Sequence, residues 1–167
     1  MQKQLWIVMD IRTGIGQDSH RFESQPTGKK CIIGGILFES TPALQGNSDA
    51  DVVLHAITNA ISGVTGINIL GNIADKMCKR GITDSSMYLK KALEFLREYR
   101  INNLSVSIEC KTPKISPRIE EIKISLSEIL KIEKNRIGIT ATTGESLTAF
   151  GRGEGIQCFA VVTVIKI

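Results

Sequence analysis

The order of secondary-structure patterns in the last third of the chain constrains the fold most strongly. A β-rich run at 104–108 is followed by an amphipathic helical pattern after Ser116, and then by two more β-rich runs at 136–142 and 159–167. A helix that connects two strands usually places them as parallel neighbours in one sheet. The pattern therefore predicts a βαβ unit in a mixed sheet with helices on one face, an α+β fold of two layers.

The earlier part of the chain adds two β-rich runs, at 5–12 and 31–38, and two helical patterns. The first helical pattern, about 51–62, puts His55 opposite an apolar stripe that consists of Val53, Ile57, Ala60, Ile61 and Val64. The second, about 85–99, follows Asp84 as a candidate N-cap, and Pro117 suits the first position of the third. With 167 residues, 42% of them apolar, we expect a single domain over 1–167.

Composition excludes several classes of function. The net charge of +4 is mild and the basic residues alternate with acidic ones, while aromatic residues make up only 5%, so we expect no nucleic-acid partner. The short apolar run at 5–9 is too brief for a signal sequence or a membrane span. The four cysteines form no CxxC pair. We therefore expect a soluble, cytoplasmic protein without a membrane partner.

The two histidines of the chain indicate a metal site. Asp18 and His20 are separated by one residue, so in an extended segment both side chains point to the same side. His55 lies one helical turn after Asp51, at the end of the polar segment 47–55. Two imidazoles and one carboxylate form a three-ligand zinc set with an open fourth position. The alternative is that both histidines are solvated surface residues and that Ser48 and Asp51 only form a capping box.

Three further segments suit phosphate binding, and each has a plainer alternative. The segment 140–145 ends a strand with hydroxyls and Glu145, which suits phosphate oxygens and a cation such as Mg²⁺, although it is also typical of a Thr-rich strand and turn. The Gly-rich segment 151–155 leads into a strand, which excludes a dinucleotide fingerprint and favours a turn with one functional arginine. The loop 111–117 offers backbone amides and Lys114 to an anion or a base edge, or is simply a capped loop.

Together these segments resemble the 2-C-methyl-D-erythritol 2,4-cyclodiphosphate synthase family over nearly the whole chain. Five stretches occur in the family's order: residues 14–22, the Gly34-Gly35 hairpin region, 48–55, Thr112-Pro113-Lys114, and 141–145 followed by 151–156. The resemblance implies a two-layer α+β fold with a mixed four-stranded sheet and helices on one face, assembled as a homotrimer with active sites between subunits. It also implies Zn²⁺ or another divalent metal at Asp18, His20 and His55, and Mg²⁺ or Mn²⁺ near Glu145.

The resemblance further implies a reaction. The substrate would be 4-diphosphocytidyl-2-C-methyl-D-erythritol 2-phosphate, a cytidine diphosphate ester whose 2-phosphate attacks the β-phosphorus and expels CMP, in the non-mevalonate isoprenoid route. Such a reaction needs a folded substrate and neutralised phosphate charge, which two cations supply well. The residues implied in catalysis are Asn47 and Thr143. Those implied in substrate binding are Ser48, Asn72, Ala74, Lys111, Pro113, Lys114, Thr142 and Arg152, with the loop 110–116 around the cytosine.

The sequence departs from the family pattern in the substrate pocket. Asn47 stands where most members have a histidine, and Asn72 stands where most have an aspartate that grips the erythritol hydroxyls. A shorter segment, 75–81, replaces the usual Phe-Pro-Asp loop. Amides still form neutral hydrogen bonds, and the metal set is intact, so we expect an active synthase. The alternatives are a catalytically weakened trimeric binding protein for a nucleotide or isoprenoid diphosphate, or a related activity on another nucleotide diphosphate.

Overall fold

The computed structural model describes residues 9–167, and its elements form two layers. In chain order they are β1 (Ile11–Arg21), β2 (Ile32–Ile33), β3 (Ile36–Leu37), α1 (Val52–Thr65), α2 (Asn72–Lys79), α3 (Ser85–Leu93), β4 (Tyr99–Glu109), α4 (Ile119–Leu130), β5 (Ile137–Thr142), α5 (Ala149–Arg152) and β6 (Gly155–Lys166). None of the helices within 9–167 combines the length and the apolar character that a bilayer span needs.

The sheet is mixed and four-stranded, which confirms the predicted fold class. Its strand order is β1-β6-β4-β5, with β6 antiparallel to both neighbours and β4 parallel to β5. Because α4 connects the parallel pair, the C-terminal third contains the predicted βαβ unit. The pair β2–β3 is a separate hairpin, and Gly34 and Gly35 turn it with φ of 61° and 78°, which glycine adopts without strain.

Helix α1 is the centre of the core. Residues on all of its sides are buried because it lies between the sheet and α3, and a helix covered on both sides is apolar almost all round. Its contact with β1 is very close: a Cβ on Gly16 would lie 2.0 Å from the carbonyl oxygen of Ala56, and one on Gly14 would lie 2.0 Å from that of Ala60. The two glycines therefore let the helix backbone rest directly on the strand.

The structure differs from the predictions at three places. The second predicted helix is α3, and it ends at Leu93 instead of reaching Tyr99, because Arg97 adopts a left-handed φ of 51° and Tyr99 starts β4. Helix α2 was not predicted, since Gly71 and Gly81 bracket only eight helical residues. Of the run predicted at 5–12, residues 5–8 lie outside the described part of the chain, and the strand extends instead from Ile11 to Arg21.

Candidate metal centre and active site

Strand β1 supplies two side chains of the candidate site. Along this strand Gly14, Gly16, Asp18 and His20 alternate with outward-facing residues, so all four face α1. The glycines allow close packing at one end, and the polar pair occupies the end where α1 begins. Each polar side chain keeps 21% of its surface exposed. The predicted extended geometry of Asp18-Ser19-His20 is therefore present.

Helix α1 supplies the third side chain from its first turn. His55 is only 7% exposed, so the alternative of a solvated surface histidine is wrong. Asp51 precedes it by one turn but faces away from the cluster. Its carboxylate is the N-cap of α1 and also accepts hydrogen bonds from the amides of Gly34 and Gly35, at 2.8 and 2.7 Å. Asp51 therefore fixes the start of the helix and ties it to the hairpin.

The three side chains meet through one ligand atom each. Asp18 Oδ2 lies 3.0 Å from His20 Nε2 and 3.0 Å from His55 Nδ1, and the two nitrogens are 3.4 Å apart. Ligand atoms held about 2.0–2.1 Å from a tetrahedral zinc ion lie about 3.3 Å from one another. The observed separations are close to that value, so the cluster fits three corners of a small tetrahedral cation.

The electrostatics of the cluster also favour a cation. Burial raises the pKa of Asp18, but hydrogen bonds from His20 and His55 outweigh burial and hold the pKa at about 2. Burial lowers the pKa of His20, whereas the hydrogen bond to Asp18 raises it, and the net shift is upward. The carboxylate thus remains ionised and attracts positive charge toward the two imidazoles.

The cluster opens into a cavity of about 210 Å³. Asn47, Ser48 and Ala74, three of the residues implied in catalysis or substrate binding, line it together with the metal cluster. Asn72 does not line the cavity, because it lies exposed at the start of α2.

Among the lining residues that the sequence analysis missed, three have a polar or titratable side chain, namely Asp75, Cys78 and Tyr88. The amphipathic spacing of Ile73, Ala74 and Met77 was the signal that could have placed the first two on a helix beside the site. Asp75 follows Asn72 by about one turn of α2 and brings a carboxylate to the cavity.

The remaining predicted residues form a second group elsewhere on the chain. They are Lys111, Pro113, Lys114, Thr142, Thr143, Glu145 and Arg152, and none lines the 210 Å³ cavity. Backbone hydrogen bonds join their segments: the amide of Cys110 donates to Thr142 at 3.1 Å, and that of Lys111 donates to Phe150 at 3.1 Å. Pro113 is half-buried, and the other six are exposed.

Two consecutive ion pairs link this second group to the end of β1. Arg152 forms an ion pair with Glu154 at 3.1 Å, and Glu154 forms another with Arg21 at 3.0 Å. Glu145 has a left-handed φ of 48° and an exposed carboxylate. Apart from Asn72, the predicted residues therefore fall into two groups, one around the metal cluster and one on the surface formed by the loops after β4 and β5.

Comparisons with known proteins show relatives of this chain in sequence and in structure. A 2-C-methyl-D-erythritol 2,4-cyclodiphosphate synthase from Chlamydia trachomatis is 50% identical over 163 residues, which cover 96% of this chain and 90% of the relative. The structure of IspF from Plasmodium falciparum, a CDP complex, superposes with a TM-score of 0.79 and 27% identity over 93% of this chain and 96% of that chain.

A longer protein shares the fold as well. The bifunctional IspDF from Campylobacter jejuni superposes with a TM-score of 0.86 and 27% identity over 96% of this chain, which spans only 43% of the bifunctional protein. The profile of the YgbB family matches residues 11–165. The chain therefore belongs to the YgbB family.

Proposed function

We propose that this protein catalyses the metal-dependent cyclisation of 4-diphosphocytidyl-2-C-methyl-D-erythritol 2-phosphate to 2-C-methyl-D-erythritol 2,4-cyclodiphosphate, with release of CMP. It is a phosphorus-oxygen lyase of the non-mevalonate isoprenoid pathway. The observation that carries the proposal is the Asp18, His20 and His55 cluster at an open cavity, in a chain half identical to a synthase of that name. The CDP complex of the Plasmodium falciparum structure supports a cytidine diphosphate ester as substrate.

The reaction exchanges one phosphorus-oxygen bond for another. An oxygen of the 2-phosphate bonds to the β-phosphorus, and the bond from that phosphorus to the bridging oxygen breaks, so CMP departs with the bonding electrons. Because the nucleophile is tethered within the substrate, the protein has to fold the substrate and neutralise its charge. We assign Asn47 and Ser48 to hydrogen bonds with phosphate oxygens in the cavity.

We further propose a zinc ion at Asp18, His20 and His55. The donor types and their separations of 3.0–3.4 Å support it. A cation bound there supplies positive charge to phosphate oxygens. The exposed carboxylate of Glu145, beside Thr142 and Thr143, suits a second, oxygen-preferring ion, Mg²⁺ or Mn²⁺.

A homotrimer would unite the two groups of residues. Within one chain, Lys111, Lys114 and Glu145 line a surface other than the metal cavity. The sheet face opposite α1 is open and carries exposed apolar side chains, including Ile15 at 68% and Phe159 at 43%. Exposed apolar surface of this kind is typical of a subunit interface. Packing of copies through this face would bring the second group of one subunit to the cavity of the next.

We assign the substrate's erythritol hydroxyls to the region around α2. Asn72 lies at its start and offers an amide, whereas Ala74 and Asp75 line the cavity itself. The carboxylate of Asp75 has two oxygens that can accept hydrogen bonds from hydroxyls, whereas the amide of Asn72 has one. We also propose that residues 1–167 act as one domain in the cytoplasm, which the four free cysteines support, without nucleic-acid or membrane partners.

The test is a CMP-release assay on the purified chain, with Mg²⁺ and either zinc or a chelator. We expect about one zinc per chain, CMP release that the chelator abolishes, and loss of turnover in His55→Ala while circular dichroism shows an unchanged fold. Normal turnover in that variant would contradict the mechanism. Tight CMP binding without product at saturating Mg²⁺ would instead select the alternative, a catalytically weakened binding protein, which Asn47 and Asn72 favour.

A further inference from the structure

The ring of His55 has different neighbours at its two nitrogens. Nδ1 faces the cluster, 3.0 Å from Asp18 Oδ2, whereas Nε2 faces Ser85 Oγ at 2.8 Å. Ser85 is the first residue of α3 and is fully buried. A second hydroxyl, that of Ser48, lies farther from Nε2 at 3.5 Å and already accepts from the amide of Ala50 at 3.0 Å. Ser85 is therefore the main partner of Nε2.

Asp49 holds Ser85 from the other side. The hydroxyl of Ser85 donates to Asp49 Oδ1, and the amide of Ser85 donates to Asp49 Oδ2 at 3.1 Å. The backbone of Asp49 is anchored separately, because its amide donates to the carbonyl oxygen of Thr83 at 2.9 Å. Asp49 and Ser85 thus keep their positions through bonds that do not involve His55.

The directions of these hydrogen bonds determine the tautomer of His55. A carboxylate only accepts, so the hydroxyl proton of Ser85 points at Asp49. The oxygen of Ser85 then offers only lone pairs to His55, and Nε2 has to carry a proton to bond with it. In the metal-free cluster Nδ1 donates to Asp18 Oδ2. If a cation took the place of that proton, the neutral ring would keep its proton on Nε2 and would offer the lone pair of Nδ1, which faces Asp18 and His20. This is the nitrogen that a cation in the cluster would use.

We propose that Asp49 and Ser85 are positioning residues that set the tautomer and the orientation of His55 for metal binding. The inference rests on the metal site of the proposed function. Outer partners of this kind typically change metal affinity by about 10- to 100-fold. The competing interpretation is a purely structural tie between α3 and the turn before α1, which would change folding stability but not the affinity of the folded protein for metal.

Substitution of Asp49 by asparagine separates the two interpretations. Asp49 accepts from Ser85 through both oxygens, but an asparagine has one oxygen and one amide. Asp49 Oδ1 also accepts from the amide of Asp51, but at 3.3 Å, longer than the 3.1 Å bond from the amide of Ser85 to Oδ2. With its oxygen toward the amide of Ser85, the NH₂ group of the asparagine donates to the hydroxyl of Ser85. The hydroxyl proton then turns toward Nε2, which favours the tautomer with a proton on Nδ1. Asp49→Asn should therefore weaken metal binding although it is nearly isosteric.

The experiment measures zinc affinity of the full-length chain by competition with a chelating dye, and the absorption of bound Co²⁺ as a second readout. We expect about 10- to 100-fold weaker zinc binding in Asp49→Asn and Ser85→Ala, with an altered Co²⁺ spectrum, and recovery in Ser85→Thr, which keeps the hydroxyl. The matched controls are Asp84→Asn and Ser86→Ala on the same helix. Within residues 9–167 the carboxylate of Asp84 accepts only from the exposed amide of Ser86, so both controls should bind zinc as the wild type does.

The outcomes distinguish this inference from the proposed function. Wild-type affinity in Asp49→Asn and Ser85→Ala would overturn the inference and leave the metal site standing. Equal losses in Ser85→Ala and Ser85→Thr would overturn it too, because the hydroxyl would then not matter. Absence of zinc binding by the wild-type chain would overturn the proposed metal site itself. If Ser85→Ala fails to fold, Asp49→Asn decides alone, with thermal melting as the check of its fold.

Discussion

The contact of α1 with β1 gives a sharp test, the substitution Gly16→Ala. The added methyl would lie 2.0 Å from the carbonyl oxygen of Ala56 and 2.3 Å from the amide nitrogen of Ala60. Ordinary contacts of such an atom begin at 3.4 Å, so the helix would have to move away by about 1.4 Å, the difference between 3.4 and 2.0 Å. No side-chain rotation relieves the clash, because both neighbours are backbone atoms.

The cost of this movement follows from the packing of α1. Overpacked cores typically lose about 1–3 kcal/mol and sometimes more, and a helix that lies between the sheet and α3 has little room to adjust. We therefore expect Gly16→Ala to lose at least about 3 kcal/mol of unfolding free energy, which corresponds to a melting temperature lower by about 6–12 °C in a chain of this size. The same movement would carry His55 away from Asp18 and His20 and weaken zinc binding.

The assay is urea unfolding followed by circular dichroism, with Gly63→Ala as the matched control. Gly63 lies in the same helix and faces the same strand, but a methyl there would lie 3.5 Å from the carbonyl oxygen of Ile15, an ordinary contact. We expect this control to be neutral or to stabilise by up to about 1 kcal/mol, because alanine favours the helix. A wild-type unfolding curve for Gly16→Ala would refute the close contact of helix and strand.

Three other predictions address charge, assembly and substrate binding. The pKa of Asp18 is about 2, below its ordinary 3.8, so the ionised carboxylate should contribute about 2 kcal/mol to the unfolding free energy of the metal-free protein above pH 4. This contribution should vanish as the pH falls toward 2. Urea unfolding with chelator should show that Asp18→Asn lacks the pH dependence. Phe159→Glu should reduce the sedimentation coefficient from that of the proposed trimer to that of a monomer, whereas Ile124→Glu, at a site on α4 that is 48% exposed against 43% for Phe159, should not. Asp75→Ala should raise KM more than it lowers kcat, and an unchanged KM would exclude Asp75 from substrate binding.

The metal cluster was predictable because it depends on local rules. Alternation along a strand places Asp18 and His20 on the same side, and the apolar stripe of α1 leaves His55 on another face of that helix. What the sequence could not show is that Gly14 and Gly16 bring this helix against this strand. That contact joins residues more than 30 positions apart, and only tertiary packing determines it.

Other features depended on the same kind of long-range contact. The helix predicted to reach Tyr99 ends at Leu93 because the chain turns at Arg97 to enter β4, and the apolar spacing continues through that turn. The roles of Ser85 and Asp49 were also missed. Both residues have local interpretations, as a helix start and an acidic turn, and only the contact between the turn before α1 and the start of α3 gives them a second one.

The alternation of β1 also ties the fold to the chemistry. The two glycines that admit α1 and the two side chains that would hold the metal occupy every second position from 14 to 20 on one side of a single strand. A slip of the strand by one residue would turn all four to the open face at once. Insertion or deletion of a single residue in this segment would therefore remove the helix contact and the cation ligands together.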